Sequence, residues 1–462
     1  MASAITHFRI EGLHGERTID VPITENRLII VGENGTGKST VVTLLFYFLT
    51  RQWSRITSHE FKSISATIGG EEVAITRDDV SQWSSILHDD EWLSIASRRA
   101  VDLILRDNTI NADASDGKLQ RDAVMRLVAE HDLPPSAFLD AMRLLERRDA
   151  KVPESVKDAE RVIGNAALGE VLFLPTYRRI EQDLRAIFPG SSSEMRAFRE
   201  RASHRPRRQG YVELVEFGME DVESNIQSKM NQIKEYIRSG LTNLTARYLR
   251  DVIRGEYESV EYSAIASVDD STIDAIFSRI QESILSSAEQ DRLRDIVDKI
   301  KGDSDILSGE KIVAHFLDRL IKLYEEQQSN EKDVRDFVSV CNRYLVGKKM
   351  IYDQVNFDIS IEGTVVRYER GKDKIKLNML SSGEKQIVSL FSHIYFSSVP
   401  RRFVIIDEPE LSLSVTWQQR LLPDLLRTDR CQGLIAVTHS PFIYDNELDP
   451  YTRGIDEFTC IL

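Results

Sequence analysis

Residues 27–49 read RLIIVGENGTGKSTVVTLLFYFL. The short apolar run at 28–31 is typical of a buried strand, and the apolar residues from Val41 onward have the spacing of a helix. Between them, residues 32–39 match the pattern GxxxxGK(S/T). A glycine-rich loop that joins a strand to a helix is the arrangement that phosphate binding requires. The segment therefore predicts an α/β fold that contains a phosphate-binding loop.

The residue types in this loop suggest a role for each position. Glycines let backbone N–H groups approach phosphate oxygens, and the start of the helix adds its positive dipole. Lys38 is expected to reach the β- and γ-phosphates of a nucleotide, and Ser39 to ligate Mg²⁺. A chance glycine-rich turn is the alternative, which the flanking strand and helix disfavour. The candidate nucleotide-binding residues of the loop are Gly32, Asn34, Gly35, Gly37, Lys38, Ser39 and Thr40.

A second signature lies near the other end of the chain. Residues 403–408, FVIIDE, form an apolar run that ends in two carboxylates. In sites that hydrolyse ATP, the first acid of such a pair holds Mg²⁺ and the second activates the attacking water. Asp407 is therefore a metal-ligand candidate together with Ser39, and Glu408 is the candidate catalytic base. Alone, the pattern also fits an ordinary strand and turn, but the phosphate-binding loop favours the catalytic interpretation.

Residues 380–386 read LSSGEKQ and precede an apolar helix at 387–396. Here the sequence resembles the ABC ATPases, whose LSGGQ-like signature contacts the γ-phosphate that a partner subunit binds. The resemblance makes Ser382 and Gly383 candidate nucleotide-binding residues. The physical chemistry agrees, because the N-terminus of a helix attracts anions. A plain N-cap by Ser381 or Ser382 is the alternative.

The motifs after the acidic pair extend this resemblance. Residues 409–414, PELSLS, resemble the D-loop, which meets the opposite subunit. Residues 433–438 are an apolar strand, and His439 after it resembles the switch histidine of ABC ATPases. A neutral histidine at the carboxyl end of a strand can donate to a γ-phosphate. His439 is thus the second catalytic candidate, and a purely structural histidine is the alternative.

The spacing of the motifs predicts a divided ATPase head. More residues separate Lys38 from Ser382 than separate the same two motifs in a transporter cassette. We therefore expect an N-terminal lobe at 1–95, a mainly helical insertion at 96–345 and a C-terminal lobe at 346–462. The expected fold class is α/β: an ABC-type split head of the Rad50, SMC and OLD kind, with an inserted helical, short coiled-coil-like domain.

Shorter patterns fill in this architecture. A hairpin is predicted at 63–68 and 72–77 across Gly69 and Gly70, and returning strands are predicted at 356–367 and 374–378. Two apolar stripes at helical period cover 222–252 and 312–345, and they indicate packed helices. An oligomer face, or a short antiparallel coiled coil, is the alternative for part of these stripes.

The composition restricts the partners. The chain has 60 Lys and Arg against 74 Asp and Glu, and its net charge of -14 disfavours indiscriminate binding to nucleic acid. Its three cysteines contain no CxxC pair, which fits a reducing compartment and leaves no metal framework. The start has no leader pattern and no stretch is long and apolar enough to span a membrane, so we expect a cytoplasmic protein without membrane contact.

One segment departs from the acidic total. Residues 176–210 contain nine arginines against four acids. Its Arg-rich part, 196–208, is a candidate contact for nucleic acid or for an acidic protein. A solvated face, or internal pairing with the acidic remainder of the chain, is the alternative.

The three motifs LSSGEKQ, DEPELSL and THSPF together look like those of the OLD-family and related ABC ATPases of bacterial anti-phage systems. OLD proteins continue past the histidine strand into a Toprim nuclease domain, whereas 23 residues follow His439 here. The resemblance therefore implies an ATP hydrolase without an intrinsic nuclease. In size and motif order the chain is most similar to the free-standing ATPase subunits of two-gene systems, PARIS first and Septu second.

That resemblance implies a function. The subunit would bind and hydrolyse ATP with Mg²⁺, form a homo-oligomer through its heads, and hold a separate effector, a Toprim-type nuclease, until a phage trigger releases it. An acidic phage protein or nucleic acid at 196–208 is the expected trigger contact. The alternative is a DNA-maintenance ATPase that resembles RecF or Rad50 and binds DNA directly.

Overall fold

The computed structural model describes residues 5–88, 136, 152–166, 168–175, 211–213, 219–258, 262–278, 286–302, 307–354, 356–364, 374–397 and 399–461. The chain divides into two compact units, residues 1–216 with 399–462, and residues 217–398. The first unit thus joins the two ends of the sequence. The lobe boundaries expected at 95 and 345 stay a prediction.

The first unit contains both helices and strands. In chain order they are β1 (Ile5–Leu13), β2 (Arg17–Pro22), β3 (Arg27–Val31), α1 (Lys38–Leu49), α2 (Trp53–Ile56), β4 (Ser63–Ile68), β5 (Glu71–Thr76), α3 (Arg77–His88), α4 (Glu154–Asn165), β6 (Glu170–Leu174) and β7 (Tyr211–Glu213). The second unit follows with α5 (Met219–Arg254), α6 (Ser263–Ser267), α7 (Asp270–Ser278), α8 (Ser287–Lys301), α9 (Ser308–Asn342), β8 (Lys348–Asp353), β9 (Asp358–Gly363) and α10 (Ser382–Phe396). The chain then returns to the first unit with β10 (Arg402–Asp407), α11 (Val415–Leu426), β11 (Cys431–Thr438), β12 (Thr452–Gly454) and β13 (Thr459–Ile461).

An antiparallel sheet and a parallel sheet form the first unit. The antiparallel sheet has the order β13-β2-β1-β4-β5, and the parallel sheet has the order β12-β3-β11-β10-β6-β7. The predicted hairpin is confirmed, since β4 and β5 are joined by Gly69 and Gly70 with φ of 61° and 89°. Positive φ at both central residues is what a two-residue hairpin turn requires.

Helix α1 fills the core of the first unit. It is apolar on nearly every side, and Phe46 stacks on Phe173 of the parallel sheet with ring centroids 4.5 Å apart. Phe48 packs against Phe8 of the antiparallel sheet at 6.0 Å. Because α1 is buried between strands of both sheets, its first residue is held at the carboxyl end of β3. The α/β fold class is confirmed, and this packing fixes the position of the phosphate-binding loop.

Strand β6 comes from the region that the sequence assigned to the helical insertion, yet it belongs to the parallel sheet. It pairs with β10 in the register Glu170 to Arg402 and Leu174 to Ile406. Arg402 is 1% exposed, and its Nη2 donates to the Glu170 carboxylate at 2.5 Å. Burial lowers the pKa of Arg402, and the Glu170 carboxylate partly offsets this effect. One ion pair thus joins the inserted strand to the central strand.

Glu170→Ala is expected to lower the free energy of unfolding by about 3–5 kcal/mol, because it leaves a buried guanidinium without its counter-charge. Glu170→Leu combined with Arg402→Met is expected to be close to neutral, since it removes both charges. Chemical denaturation of the full chain measures both. Glu71→Ala breaks the exposed pair between Glu71 and Arg161, and it is expected to cost less than about 1 kcal/mol. Equal losses from Glu170→Ala and Glu71→Ala would contradict the importance of the buried pair.

Two long helices dominate the second unit. Helix α5 has 36 residues and α9 has 35. They run antiparallel, because Lys229 pairs with Asp333 at 3.2 Å and Tyr236 donates to Glu326 at 2.9 Å. The helices predicted from the two apolar stripes are therefore confirmed. Helices α5 and α9 pair in the antiparallel arrangement of a short coiled coil.

Smaller elements complete the second unit. The helices α6, α7 and α8 pack on α9 through an apolar cluster that includes Ile265, Phe277, Val297, Leu317 and Ile321. Strands β8 and β9 form a separate two-stranded sheet. The prediction of a strand at 374–378 is wrong. This segment makes a single bridge, between Glu362 and Lys374, and then enters a 3-10 turn at Leu377–Met379. Among the described residues, no helix is long and apolar enough to cross a membrane.

Candidate functional site

The glycine-rich loop lies between β3 and α1. Gly32, Gly35 and Gly37 have φ of 156°, 81° and 97°, which glycine adopts without strain. A Cβ on Gly32 would lie 2.9 Å from Ile455 Cγ2, so a larger residue does not fit there. Gly37 is the N-cap of α1 and leaves the first backbone N–H groups of that helix without a side-chain cap. The loop has the conformation of an anion cradle.

Lys38 is the first residue of α1 and is only 4% exposed. Its Nζ donates to the backbone oxygen of Glu33 at 2.6 Å, across the loop. Burial lowers the pKa of Lys38, and the carboxylates of Asp407 and Glu408 partly offset this effect. The ammonium group is therefore held over the loop in an acidic environment.

The carboxyl edge of the parallel sheet brings the two ends of the sequence together. Asp407 is the last residue of β10 and is 3% exposed. Strand β11 lies between β10 and β3, and its residues Val437 and Thr438 pair with Asp407 and Val31. As a result, Ser39 Oγ donates to Asp407 Oδ1 at 3.2 Å. The two residues that the sequence predicted as metal ligands are in direct contact.

Glu408 and His439 follow adjacent strands of this edge. Glu408 has φ of 52°, a left-handed conformation that is uncommon outside glycine and that occurs often at functional sites. Its backbone N–H donates to Val437 O at 2.9 Å, which fixes the turn. His439 comes directly after β11 and is exposed. Both side chains line a cavity of about 280 Å³.

This cavity brings together most of the predicted site residues. From the loop and α1 it is lined by Asn34, Gly35, Thr36, Gly37, Lys38, Ser39 and Thr40. Asp407 is hydrogen-bonded to Ser39, which lines the cavity. Gly32 lies at the start of the loop, where a Cβ would not fit. The roles of these residues stay predictions, but the structure places them around one space.

Sequence reasoning missed four residues that line the cavity, which are Thr36 of the loop and three residues from another part of the chain. Leu13, His14 and Arg17 come from the turn between β1 and β2. Arg17 Nη1 donates to Thr36 O at 3.5 Å. The sequence shows only a histidine followed by a glycine at 14 and 15, and the structure places both in a tight turn with φ of 54° and 78°. No local pattern relates that turn to the phosphate-binding loop.

The residues present fit a nucleotide with a divalent metal. The glycine conformations and the Lys38 ammonium suit phosphate oxygens. Ser39 Oγ and Asp407 Oδ1 supply two hard oxygen ligands 3.2 Å apart. Such a pair suits a cation that takes its remaining ligands from phosphates and water rather than from a protein cage.

The signature residues lie in the second unit, at the start of α10. Ser381 is the N-cap, and its hydroxyl accepts from the Glu384 backbone N–H at 3.4 Å. The Glu384 carboxylate accepts from Ser381 N at 2.8 Å and from Lys348 Nζ at 2.7 Å. Since Ser381 makes the cap, Ser382 at the next position keeps an exposed hydroxyl, whereas Gly383 is buried.

The Arg-rich segment 196–208 lies outside the described residues.

Comparisons with known proteins agree with a nucleotide-hydrolysing head. A family model described as "AAA domain, putative AbiEii toxin, Type IV TA system" matches residues 257–445. The match supports an ATPase domain in that part of the chain. The matched range contains the signature, Asp407, Glu408 and His439, and it covers less than half of the chain. A comparison with curated proteins gives no match.

Solved structures of SMC heads are also similar. The Smc head domain with an extended coiled coil bound to the C-terminal domain of ScpA, from Pyrococcus furiosus, is 14% identical with a TM-score of 0.33 and covers 99% of this chain and 95% of that chain. An SmcHead bound to the C-winged helix domain of ScpA is 12% identical with a TM-score of 0.35, and covers 99% and 96%. The Smc head domain with a coiled coil and joint from Pyrococcus yayanosii is 14% identical with a TM-score of 0.30, and covers 99% and 96%.

Proposed function

We propose that this protein is a regulatory ATPase that binds ATP with Mg²⁺, assembles head to head, and hydrolyses ATP to reset the assembly. The observation that carries the proposal is the convergence of Lys38, Ser39, Glu408 and His439 on one cavity, with Asp407 in contact with Ser39. These residues come from both ends of the chain, so the arrangement exists only in the folded protein.

Each residue has a role that its surroundings support. Lys38 and the loop N–H groups bind phosphate oxygens, and Ser39 with Asp407 holds the metal. Mg²⁺ held there would neutralise charge that develops on the phosphates during transfer. Glu408 accepts a proton from the attacking water, and His439 donates to the γ-phosphate.

The head-to-head assembly rests on the signature residues. Ser382 and the N-terminus of α10 offer a hydroxyl and backbone N–H groups to an anion, and Ser381 with Glu384 holds that helix start rigid. We propose that Ser382 and Gly383 contact the nucleotide bound by a second copy. ATP is then shared between two heads, so its binding favours the dimer over the monomer.

The proposed biological role is that of a sensor in anti-phage defence. The ATPase would hold a separate Toprim-type nuclease and release it when a phage protein or nucleic acid engages the Arg-rich segment 196–208. Support comes from the OLD-like motifs, and the description of the matched family names a toxin–antitoxin system. Within this class the PARIS ATPase is our first choice, and Septu is the second.

Ser382→Arg tests the assembly. The variant is expected to keep the ATP affinity of a single head, because the phosphate-binding loop is unchanged, but to lose the ATP-dependent increase in mass and at least about tenfold in turnover. Light scattering with and without ATP and Mg²⁺ measures the mass, and co-purification with the product of the neighbouring gene tests the effector. Ser287→Arg is the matched control, since Ser287 also follows an N-cap serine, Ser286, that bonds with a glutamate three residues on. If wild-type mass does not change with ATP, the proposed assembly is wrong.

A further inference from the structure

The turn after Glu408 is hydrogen-bonded to the end of β11, directly before His439 and at its backbone N–H. Glu410 Oε1 accepts from the His439 backbone N–H at 2.8 Å, and Oε2 accepts from Thr438 Oγ1 at 2.8 Å. Both oxygens of one carboxylate therefore bind the end of β11. Hydrogen bonds to an ionised carboxylate are stronger than neutral ones. Glu410 is not among the described residues that line the cavity, and its two hydrogen-bond partners are His439 and the residue before it.

A second set of hydrogen bonds holds the other side of His439. Ser440 Oγ donates to Gln418 Oε1 at 2.6 Å, and Gln418 Nε2 donates to Leu413 O at 2.9 Å. Ser440 N donates to Thr438 Oγ1 at 3.0 Å, which links the two sets. We call Glu410, Gln418, Thr438 and Ser440 the His439 clasp. The clasp connects the segment 409–413 to both neighbours of His439.

The clasp fixes the backbone conformation at His439, whose side chain is not packed in the protein interior. Thr438 is fully buried, whereas His439 is exposed at the cavity. An exposed side chain at a strand end gains little from packing, so its direction depends on its own backbone dihedrals. The Glu410 contact to the His439 N–H restricts those dihedrals directly. A displacement of about 1 Å at a reacting group is enough to reduce turnover by about 100-fold.

We propose that Glu410 is a positioning residue for ATP hydrolysis, which acts by fixing the place of His439 at the cavity. The inference rests on the proposed function, because it assumes that His439 contacts the γ-phosphate. Gln418 supports the same residue from its other side. The competing explanation is that Glu410 only stabilises a turn, and then its loss would affect folding without a specific effect on turnover.

Glu410→Ala and Glu410→Gln separate geometry from charge. Glutamine keeps an oxygen that accepts from the His439 N–H, and its amide donates to Thr438 Oγ1, which has a lone pair to accept it. Alanine removes both contacts. We expect Glu410→Ala to lower kcat by about tenfold to a hundredfold with KM for ATP within about threefold, and Glu410→Gln to restore most of kcat. Equal loss in both variants would overturn the positional role, since the charge would then be what matters.

Gln418→Ala is expected to lower kcat by about threefold to tenfold, because it removes the second anchor. The adjacent Gln419→Ala is the matched control on the same helix, where Gln419 Nε2 contacts Asp445 Oδ2 at 3.5 Å, outside the clasp. Near-wild-type kcat is expected for Gln419→Ala. The same loss in both glutamine variants would contradict the clasp.

The decisive measurement combines Glu410→Ala with His439→Ala under single-turnover conditions. If Glu410 acts through His439, Glu410→Ala is expected to change the rate less than twofold once His439 is alanine. A further tenfold loss in that background would overturn the inference. Wild-type protein without ATP turnover, or His439→Ala with wild-type turnover, would instead refute the proposed function, so the two failures are distinguishable.

Discussion

Glu408→Gln is expected to lower steady-state ATP turnover by about 100-fold or more, while ATP remains bound and the dimer accumulates. The glutamine has the same size as the glutamate but does not accept the proton of the attacking water. The backbone contact of residue 408 to Val437 O does not involve the side chain, so the turn is preserved. Phosphate release measures turnover, and the nucleotide that co-purifies with the protein measures trapping.

Glu33→Gln is the control for this experiment. Glu33 lies in the phosphate-binding loop and is exposed, and its bonds to Lys38 and Thr36 use the backbone oxygen rather than the carboxylate. The variant makes the same chemical change within the phosphate-binding loop, and near-wild-type turnover is expected. Unchanged turnover in Glu408→Gln would show that another group activates the water.

The candidate site was predictable where its chemistry is encoded in a short stretch. The glycine spacing of 32–39 and the acids at the end of an apolar run are local patterns, and each reports a backbone shape or a charge at a strand end. By contrast, Leu13, His14 and Arg17 reach the cavity because the turn between β1 and β2 folds beside the loop. That contact depends on the packing of two sheets around α1, which no window of sequence contains.

The same limit explains the parts of the fold that sequence reasoning missed. The run at 171–174 is apolar, but its place beside β10 depends on a close approach of Gly169, where a Cβ would lie 2.1 Å from Arg401 O. The alternation at 374–378 favours a strand locally, yet the segment makes a single bridge at Lys374 and then enters a 3-10 turn at Leu377–Met379. The apolar stripes predicted α5 and α9, but they offered antiparallel pairing only as an alternative, because the pairing depends on contacts such as Lys229 with Asp333.

Lys38→Ala is expected to reduce the affinity for ATP by about 100-fold or more, because removing one partner of a buried charged contact costs about 2–5 kcal/mol. At an ATP concentration 100 times its Kd, the wild-type protein gains about 2.7 kcal/mol of stability, whereas the variant at the same concentration is expected to gain less than about 1 kcal/mol. Thermal unfolding with and without ATP measures this difference. Lys38→Met fills the space of the buried stem and is expected to lose the same affinity, which separates charge from packing. Lys157→Ala, at an exposed position on α4, is the control and should respond to ATP as the wild type does. An ATP response in Lys38→Met equal to that of Lys157→Ala would show that the loop binds nucleotide without its lysine.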